Sequence, residues 1–87
     1  MASYRVEITQ RARKLFNNLS PVVKPRIAGM ISSLAVDPRP AGCKNLKDRD
    51  DWSIRIGDYR VVYTIDDAAH VVYVTWIGPR GRAYKGN

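Results

Sequence analysis

Residues 52–63 have the sequence WSIRIGDYRVVY, two strand-like runs joined by a Gly-Asp dipeptide at 57–58. A two-residue loop is the commonest hairpin connection, and Gly-Asp suits the turn types that need a positive φ. With only these two residues in the loop, Arg55 lies directly opposite Arg60. The other side of the hairpin is then apolar and faces the core, through Trp52, Ile54, Ile56, Tyr59, Val61, Tyr63 and Ile65.

The arginine pair indicates an anion-binding surface. Two like charges directly opposite each other in a sheet cost about 0.2–1 kcal/mol, and their strand neighbours Ser53, Val62 and Thr64 carry no charge. Arginine suits phosphate because its planar fork of N–H donors matches the phosphate oxygens. The alternative is that a nearby carboxylate neutralises the pair, the candidates being Asp48, Asp50, Asp51 and Asp58.

The remaining periodicity predicts elements on both sides of the hairpin. In chain order these are a strand at 3–8, a helix capped by Thr9, a second helix ending near Val36, a loop at 37–42, a short strand at 43–46, and strands at 52–56, 59–65 and 70–77. Ser20-Pro21 is typical of a helix start. Pro25 conflicts with that start, so the second helix either begins near Lys24 or has an irregular first turn.

This element order, β-α-α-β-β-β with room for a further strand, predicts one α+β domain over residues 1–87. We expect an antiparallel sheet of four to five strands with the two N-terminal helices packed on one face.

The charge balance favours an anionic partner. The chain has 15 Lys and Arg against 8 Asp and Glu, a formal net charge of +7. Such an excess favours RNA, DNA or an acidic protein segment. Arg80 and Arg82 follow the last strand and Tyr84 comes shortly after them. An aromatic side chain among cations suits nucleic acid, by stacking on a base while the cations contact phosphate.

Several kinds of site are excluded by residue counts. Glu7, His70 and Cys43 are the single glutamate, histidine and cysteine, so neither a disulfide nor a four-ligand zinc site can form within the chain. We predict no metal and no cofactor, Cys43 as a small half-buried side chain, and His70 as a surface residue. The sequence has no apolar run of about 18 residues and no signal-peptide pattern at its start, so we expect a cytoplasmic protein with no membrane association.

These residues resemble the RelE/ParE toxin superfamily, and within it the RelE branch. The resemblance covers nearly the whole chain, and the run at 52–63 is its most specific part. It extends to the loop at 37–42, to Leu46-Lys47, and to Ile77–Arg80 followed by Tyr84. Members of this branch are toxins of bacterial and archaeal toxin–antitoxin pairs. They cleave mRNA in the ribosomal A site without a metal and are silenced by a cognate antitoxin.

The resemblance implies roles for individual residues. It assigns catalysis to Arg55, Arg60, Arg80 and Tyr84, and we predict RNA binding by Lys44, Lys47, Ser53, Arg82 and Lys85. The best-known members have lysine at the positions of Ser53 and Arg55. The implied partners are the ribosome with mRNA in its A site and a cognate antitoxin, which we expect to be acidic because the chain carries +7.

Two other functions remain open from the sequence. A ParE-like protein would inhibit DNA gyrase without nuclease activity, and a non-catalytic module would only bind nucleic acid through its basic surface. The presence of Arg55, Arg60, Arg80 and Tyr84 favours the RelE-like endoribonuclease.

Overall fold

The structure, a computed structural model, describes residues 3–45 and 51–79. These residues contain two helices and a five-stranded sheet. The elements are β1 (Arg5–Ile8), α1 (Gln10–Asn17), α2 (Val23–Ser33), β2 (Lys44–Asn45), β3 (Asp51–Ile56), β4 (Tyr59–Asp66) and β5 (Val71–Pro79). The predicted α+β class and element order are confirmed. Within the described residues, neither helix is long and apolar enough to cross a bilayer.

The strands lie in the order β1-β5-β4-β3-β2. From β2 to β5 the chain forms an antiparallel meander, as predicted. β1 instead pairs in parallel with β5, with Arg5 opposite Val71 and Ile8 opposite Val74. Parallel neighbours need a long crossover connection, which both helices and the meander provide here. The sheet is therefore mixed, with one parallel pair that strand alternation did not predict.

The β3–β4 hairpin has the predicted register. Arg55 pairs with Arg60, flanked by the pairs Ile56–Tyr59 and Ile54–Val61. Gly57 has a φ of +58°, the glycine-first pattern of a type II′ turn. This turn matches the right-handed twist of the strands, so it holds the two arginines opposite each other.

α1 begins where its capping residue was predicted. The Thr9 side-chain oxygen accepts a hydrogen bond from the Ala12 amide at 3.2 Å, which satisfies one of the unpaired N–H groups of the first turn. Ala12 is fully buried, and Leu15 and Phe16 pack against the core. The small side chain at position 12 faces the sheet, and α1 packs over β5.

α2 resolves the conflict between Ser20 and Pro25. The Ser20 hydroxyl and carbonyl accept bonds from the Val23 amide, at 3.3 and 3.0 Å, in a turn that precedes the helix. Pro25 is the third residue of α2, where an N–H would have no partner within the helix. The helix ends at Ser33, before the predicted Val36, because the following residues tighten into a turn in which the Val36 amide donates to the Ser33 carbonyl.

The core lies between the helices and one face of the sheet, as the hairpin pattern predicted. Its buried members are Ala12, Ile27, Ile31, Leu34, Ile54, Val61, Tyr63, Val72, Val74 and Ile77. The hydroxyl of Tyr63 donates to the Pro38 carbonyl at 2.8 Å, so the loop after α2 is bonded to the centre of the sheet.

The opposite face of the sheet is less open than its polar residues suggest. Val62 and Trp76 are buried there, because an irregularity in the β4–β5 ladder leaves Thr75 unpaired and places Trp76 opposite Val62. The indole lies over Gly78, where a Cβ would come within 2.6 Å of the ring. Gly78 is the residue opposite Arg60 across the ladder, and only glycine leaves room for the ring there.

Candidate anion-binding site

The paired arginines form one wall of a surface pocket. The pocket has a volume of about 440 Å³ and is lined by Ala41, Gly42, Lys44, Ser53, Ile54, Arg55 and Arg60. The antiparallel pairing of β2 with β3 places Lys44 opposite Ser53. The site thus combines two arginines from the hairpin with a lysine from the edge strand, each held in its strand by a backbone ladder, and the loop before β2 supplies Ala41 and Gly42.

No carboxylate neutralises these cations within residues 3–45 and 51–79. Neither arginine forms an ion pair there, and Lys44 forms none either. Asp58 is exposed in the turn. Asp51 is buried on the same face as Arg55, but four residues along β3, roughly 13 Å away at about 3.3 Å per residue. Of the four candidate carboxylates, Asp48 and Asp50 lie outside the described residues.

The Arg60 side chain carries a buried donor without a partner. Its Nε is shielded from solvent and donates to no described group. A buried N–H left unsatisfied costs about 1–3 kcal/mol. A phosphate or another anion is the kind of acceptor that this donor lacks.

The chemistry of the pocket suits a phosphate group. Its lining includes two arginines, a lysine and a serine. Guanidinium groups bind phosphate through paired N–H donors, and lysine binds it as a point charge. The volume is in the range of small-ligand pockets, large enough for more than one phosphate.

The structure brings together four of the predicted site residues, Lys44, Ser53, Arg55 and Arg60. The other five, Lys47, Arg80, Arg82, Tyr84 and Lys85, lie outside the described residues. The sequence reasoning missed the wall made by Ala41 and Gly42. It also missed Trp76, whose placement was signalled only by the nearby glycine at position 78.

The single histidine and cysteine lie where the sequence placed them. His70 is exposed in the β4–β5 turn and stacks on Tyr4, with ring centroids 4.9 Å apart. Cys43 is half-buried against the core. Burial raises the pKa of the neighbouring Tyr63 phenol well above its usual range. Among residues 3–45 and 51–79, no three His, Cys, Asp or Glu side chains cluster as metal ligands would.

A second charged cluster lies at the other end of β4. Arg39 donates to both carboxylate oxygens of Asp67, at 3.3 and 2.9 Å, and Tyr4 donates to the same carboxylate at 2.6 Å. These hydrogen bonds, first from Arg39 and then from Tyr4, lower the pKa of Asp67 to about 2. Here every charged group has a partner.

Comparisons with known proteins match this chain to toxins of type II toxin–antitoxin systems. The family model for the ParE toxin of type II toxin–antitoxin systems matches residues 6–84. No curated protein matches the sequence.

Solved structures with the same fold include three toxin systems. A chain of the archaeal RelE–RelB complex from Pyrococcus horikoshii is 29% identical, with a TM-score of 0.81 over 92% of this chain and 98% of that one. A chain of the RelBE2 complex from Mycobacterium tuberculosis is 27% identical, with a TM-score of 0.81 over 91% and 100%. The isolated RelE toxin of E. coli is 26% identical, with a TM-score of 0.79 over 92% and 87%.

Proposed function

The chain belongs to the ParE toxin family of type II toxin–antitoxin systems, in the RelE branch of the RelE/ParE superfamily, and we propose that it is a ribosome-dependent mRNA endoribonuclease. The observation that carries this proposal is the pocket in which Lys44, Arg55 and Arg60 lie together with no carboxylate partner among the described residues. A site of this kind favours a phosphodiester as it gains negative charge.

The proposed reaction uses the 2′-hydroxyl of the RNA itself. The 2′-oxygen attacks the adjacent phosphorus while the bond from phosphorus to the 5′-oxygen breaks. The 2′-hydroxyl loses its proton to a base, and the leaving 5′-oxygen gains one from an acid. The products are a 2′,3′-cyclic phosphate and a 5′-hydroxyl end. Because the chain's own nucleophile is not needed, the protein has only to position the phosphate and stabilise the charge that develops on it.

In this mechanism the arginines act electrostatically. Arg55 and Arg60 hold the non-bridging phosphate oxygens, and their charge stabilises the pentacoordinate transition state. Lys44 adds a third cation at the rim. Arg80 stabilises the same transition state, and Tyr84 stacks on a base or takes the 2′-proton. These last two roles rest on the family resemblance. His70 and Glu7 lie away from the pocket, on the β4–β5 turn and on β1.

The proposed partners are an antitoxin and the ribosome. The similar structures from P. horikoshii, M. tuberculosis and E. coli include complexes of RelE with RelB or of RelBE, which supports a cognate antitoxin for this chain. The net charge of +7 supports an acidic antitoxin that covers the cationic surface. The ribosome would position mRNA in its A site, and the toxin would act in the cytoplasm.

Translation in vitro tests the proposal. We expect addition of the 87-residue protein to produce breaks within codons of translated mRNA, mapped by primer extension, and no breaks in the same mRNA without ribosomes. Translated mRNA that stays intact at protein concentrations above that of the ribosomes would contradict it.

The family model favours a second candidate, because it describes ParE toxins. A ParE-like protein would block supercoiling by DNA gyrase and leave mRNA whole. Assaying supercoiling with the same preparation separates the two activities. If neither assay responds while the protein still binds RNA, the basic binding module is the remaining function.

A further inference from the structure

The loop between α2 and β2 lines the anion pocket, but one of its residues is bonded to the β4–β5 turn, which is distant from that pocket. Arg39 lies in this loop and donates to both oxygens of Asp67 in the β4–β5 turn. The Tyr4 hydroxyl donates to the same carboxylate at 2.6 Å. The Arg39 guanidinium also lies 5.2 Å from the centre of the Trp52 ring in β3. Three separate parts of the chain therefore meet at one loop arginine.

The remaining loop bonds run from this fastening toward the pocket. Next to Arg39, the Pro38 carbonyl accepts from Tyr63 at 2.8 Å, and the Cys43 amide donates to the Pro40 carbonyl at 3.1 Å. Between these bonds are Ala41 and Gly42, which line the pocket, and Lys44 follows directly. The position of this wall thus depends on a loop anchored mainly at residues 38–40, and the same loop leads into Lys44, whose backbone also pairs with Ser53.

The Asp67 carboxylate is too far away to contact an anion in the pocket. Asp67 lies seven residues beyond Arg60 and five beyond Val62, which pairs with the pocket residue Ser53, roughly 23 and 17 Å along an extended strand at about 3.3 Å per residue. At 0.1 M salt, charges separated by more than about 10 Å are largely screened. Any effect of Asp67 on the pocket must therefore pass through the loop.

We propose that Arg39 and Asp67 are positioning residues for the anion pocket, holding the loop so that Lys44 and the Ala41–Gly42 wall are preorganised for phosphate. Isolated surface ion pairs contribute little, but this one is bidentate, shares its carboxylate with Tyr4 and lies against Trp52. A loop already held in its binding conformation loses less entropy when the ligand arrives. The inference rests on the proposed function in taking RNA phosphate as the ligand.

Asp67→Asn tests this proposal, because direct electrostatics and loss of loop order predict opposite changes in RNA affinity. The change removes a negative charge, so electrostatics alone predicts equal or slightly tighter binding of single-stranded RNA. Loss of loop order predicts weaker binding, roughly three- to tenfold, the scale of one lost hydrogen bond. Fluorescence anisotropy with a labelled RNA oligonucleotide measures the dissociation constant.

Glu7→Gln is the matched control. Glu7 accepts from Arg5 at 2.8 Å in an exposed ion pair on β1, the sheet edge opposite to β2. It changes the net charge by the same amount and breaks a similar pair, so we expect affinity equal to that of the wild type. Asp67→Asn and Glu7→Gln proteins with the same affinity would overturn the positioning role.

Arg39→Ala distinguishes positioning from direct contact. A positioning residue lowers affinity but leaves the slope of log K against log salt unchanged, whereas loss of one phosphate contact reduces that slope by about 0.7. We expect an unchanged slope, and no further loss in the Arg39→Ala/Asp67→Asn double variant. A reduced slope would make Arg39 a contact residue and overturn the inference.

These experiments distinguish failure of the positioning role from failure of the proposed function. A wild-type protein that binds the oligonucleotide but leaves translated mRNA intact contradicts the nuclease and leaves the positioning role standing. A wild-type protein that binds no RNA overturns both.

Discussion

Arginine side chains lie near both ends of β4, a pair at one end and a single one at the other, and the two groups differ in their partners. Near the hairpin, Arg55 and Arg60 face each other with Lys44 beside them, without an ion pair in the described part of the chain. At the other end, Arg39 is bonded to Asp67, which also accepts from Tyr4. The charges of Arg55 and Arg60 repel each other, and neither side chain has an ion-pair partner among the described residues. Arg39 and Asp67 instead neutralise each other. Residues of one type thus lack an ion-pair partner at one end and are bonded to a carboxylate at the other.

The difference follows from where the carboxylates are. Asp67 of the β4–β5 turn lies within reach of the loop that carries Arg39, while Asp58 is exposed in the hairpin turn and forms no ion pair with either arginine of the hairpin. Keeping like charges together costs stability. The proposed anion site therefore comes at some cost in stability.

The largest expected effect is on the core face of β4. Tyr63→Ala removes a fully buried ring and should lower the free energy of unfolding by about 3–5 kcal/mol, measured by urea denaturation. Tyr63→Phe is the control, since it keeps the ring and loses only the bond to Pro38, at about 1–2 kcal/mol. Equal effects of the two changes would show that the ring itself adds little to the core.

Arg60→Ala on the other face should affect activity instead. We expect cleavage of translated mRNA to fall roughly 10²–10³-fold, the usual loss when one preorganised charge-stabilising group is removed. The melting temperature should stay the same or rise slightly, because relief of like-charge repulsion is worth at most about 1 kcal/mol.

Arg11→Ala is its matched control, because Arg11 is exposed on α1 and its loss changes the net charge equally. We expect it to cleave like the wild type. If Arg60→Ala unfolds the protein, the arginine is structural. If it cleaves normally, the distinction between the two arginine groups is wrong.

Lys44→Ala should produce a smaller effect, on binding. Loss of one phosphate contact reduces the slope of log K against log salt by about 0.7 for single-stranded RNA, which a salt titration by fluorescence anisotropy measures. Lys14→Ala, on the exposed side of α1, should leave the slope unchanged. A slope that does not respond to Lys44→Ala would remove this lysine from the binding surface.

The smallest expected effect is the pH dependence of the stability that the Asp67 carboxylate contributes. Bonds from Arg39 and Tyr4 lower the pKa of Asp67 to about 2, below its value of about 3.9 in an unfolded chain. A depressed pKa adds stability above the unfolded value that is lost as pH falls through the folded one. The stability difference between wild type and Asp67→Asn should therefore be constant above about pH 5 and shrink between about pH 4 and pH 2. A difference independent of pH would show that Asp67 is not ionised in this bond.

Local sequence was sufficient for the features that depend on neighbours in the chain. Strand alternation has a period of two, and a two-residue turn leaves one register, so the Arg55–Arg60 pair was predictable from residues 52–63 alone. The Thr9 cap of α1 was predictable for the same reason, since its bond reaches only to Ala12. Half of the pocket follows from these local rules.

Only the tertiary structure decided the features that join distant residues. The parallel pairing of β1 with β5, the shift that places Trp76 on the arginine face, and the bond between Arg39 and Asp67 each depend on how separate elements pack. A sheet edge accepts a strand in either direction, and a charged loop residue can pair with any carboxylate within reach. A sequence pattern contains no information about contacts between elements that are distant in the chain. The wall of the pocket and the bonds that hold it are therefore visible only in the folded structure.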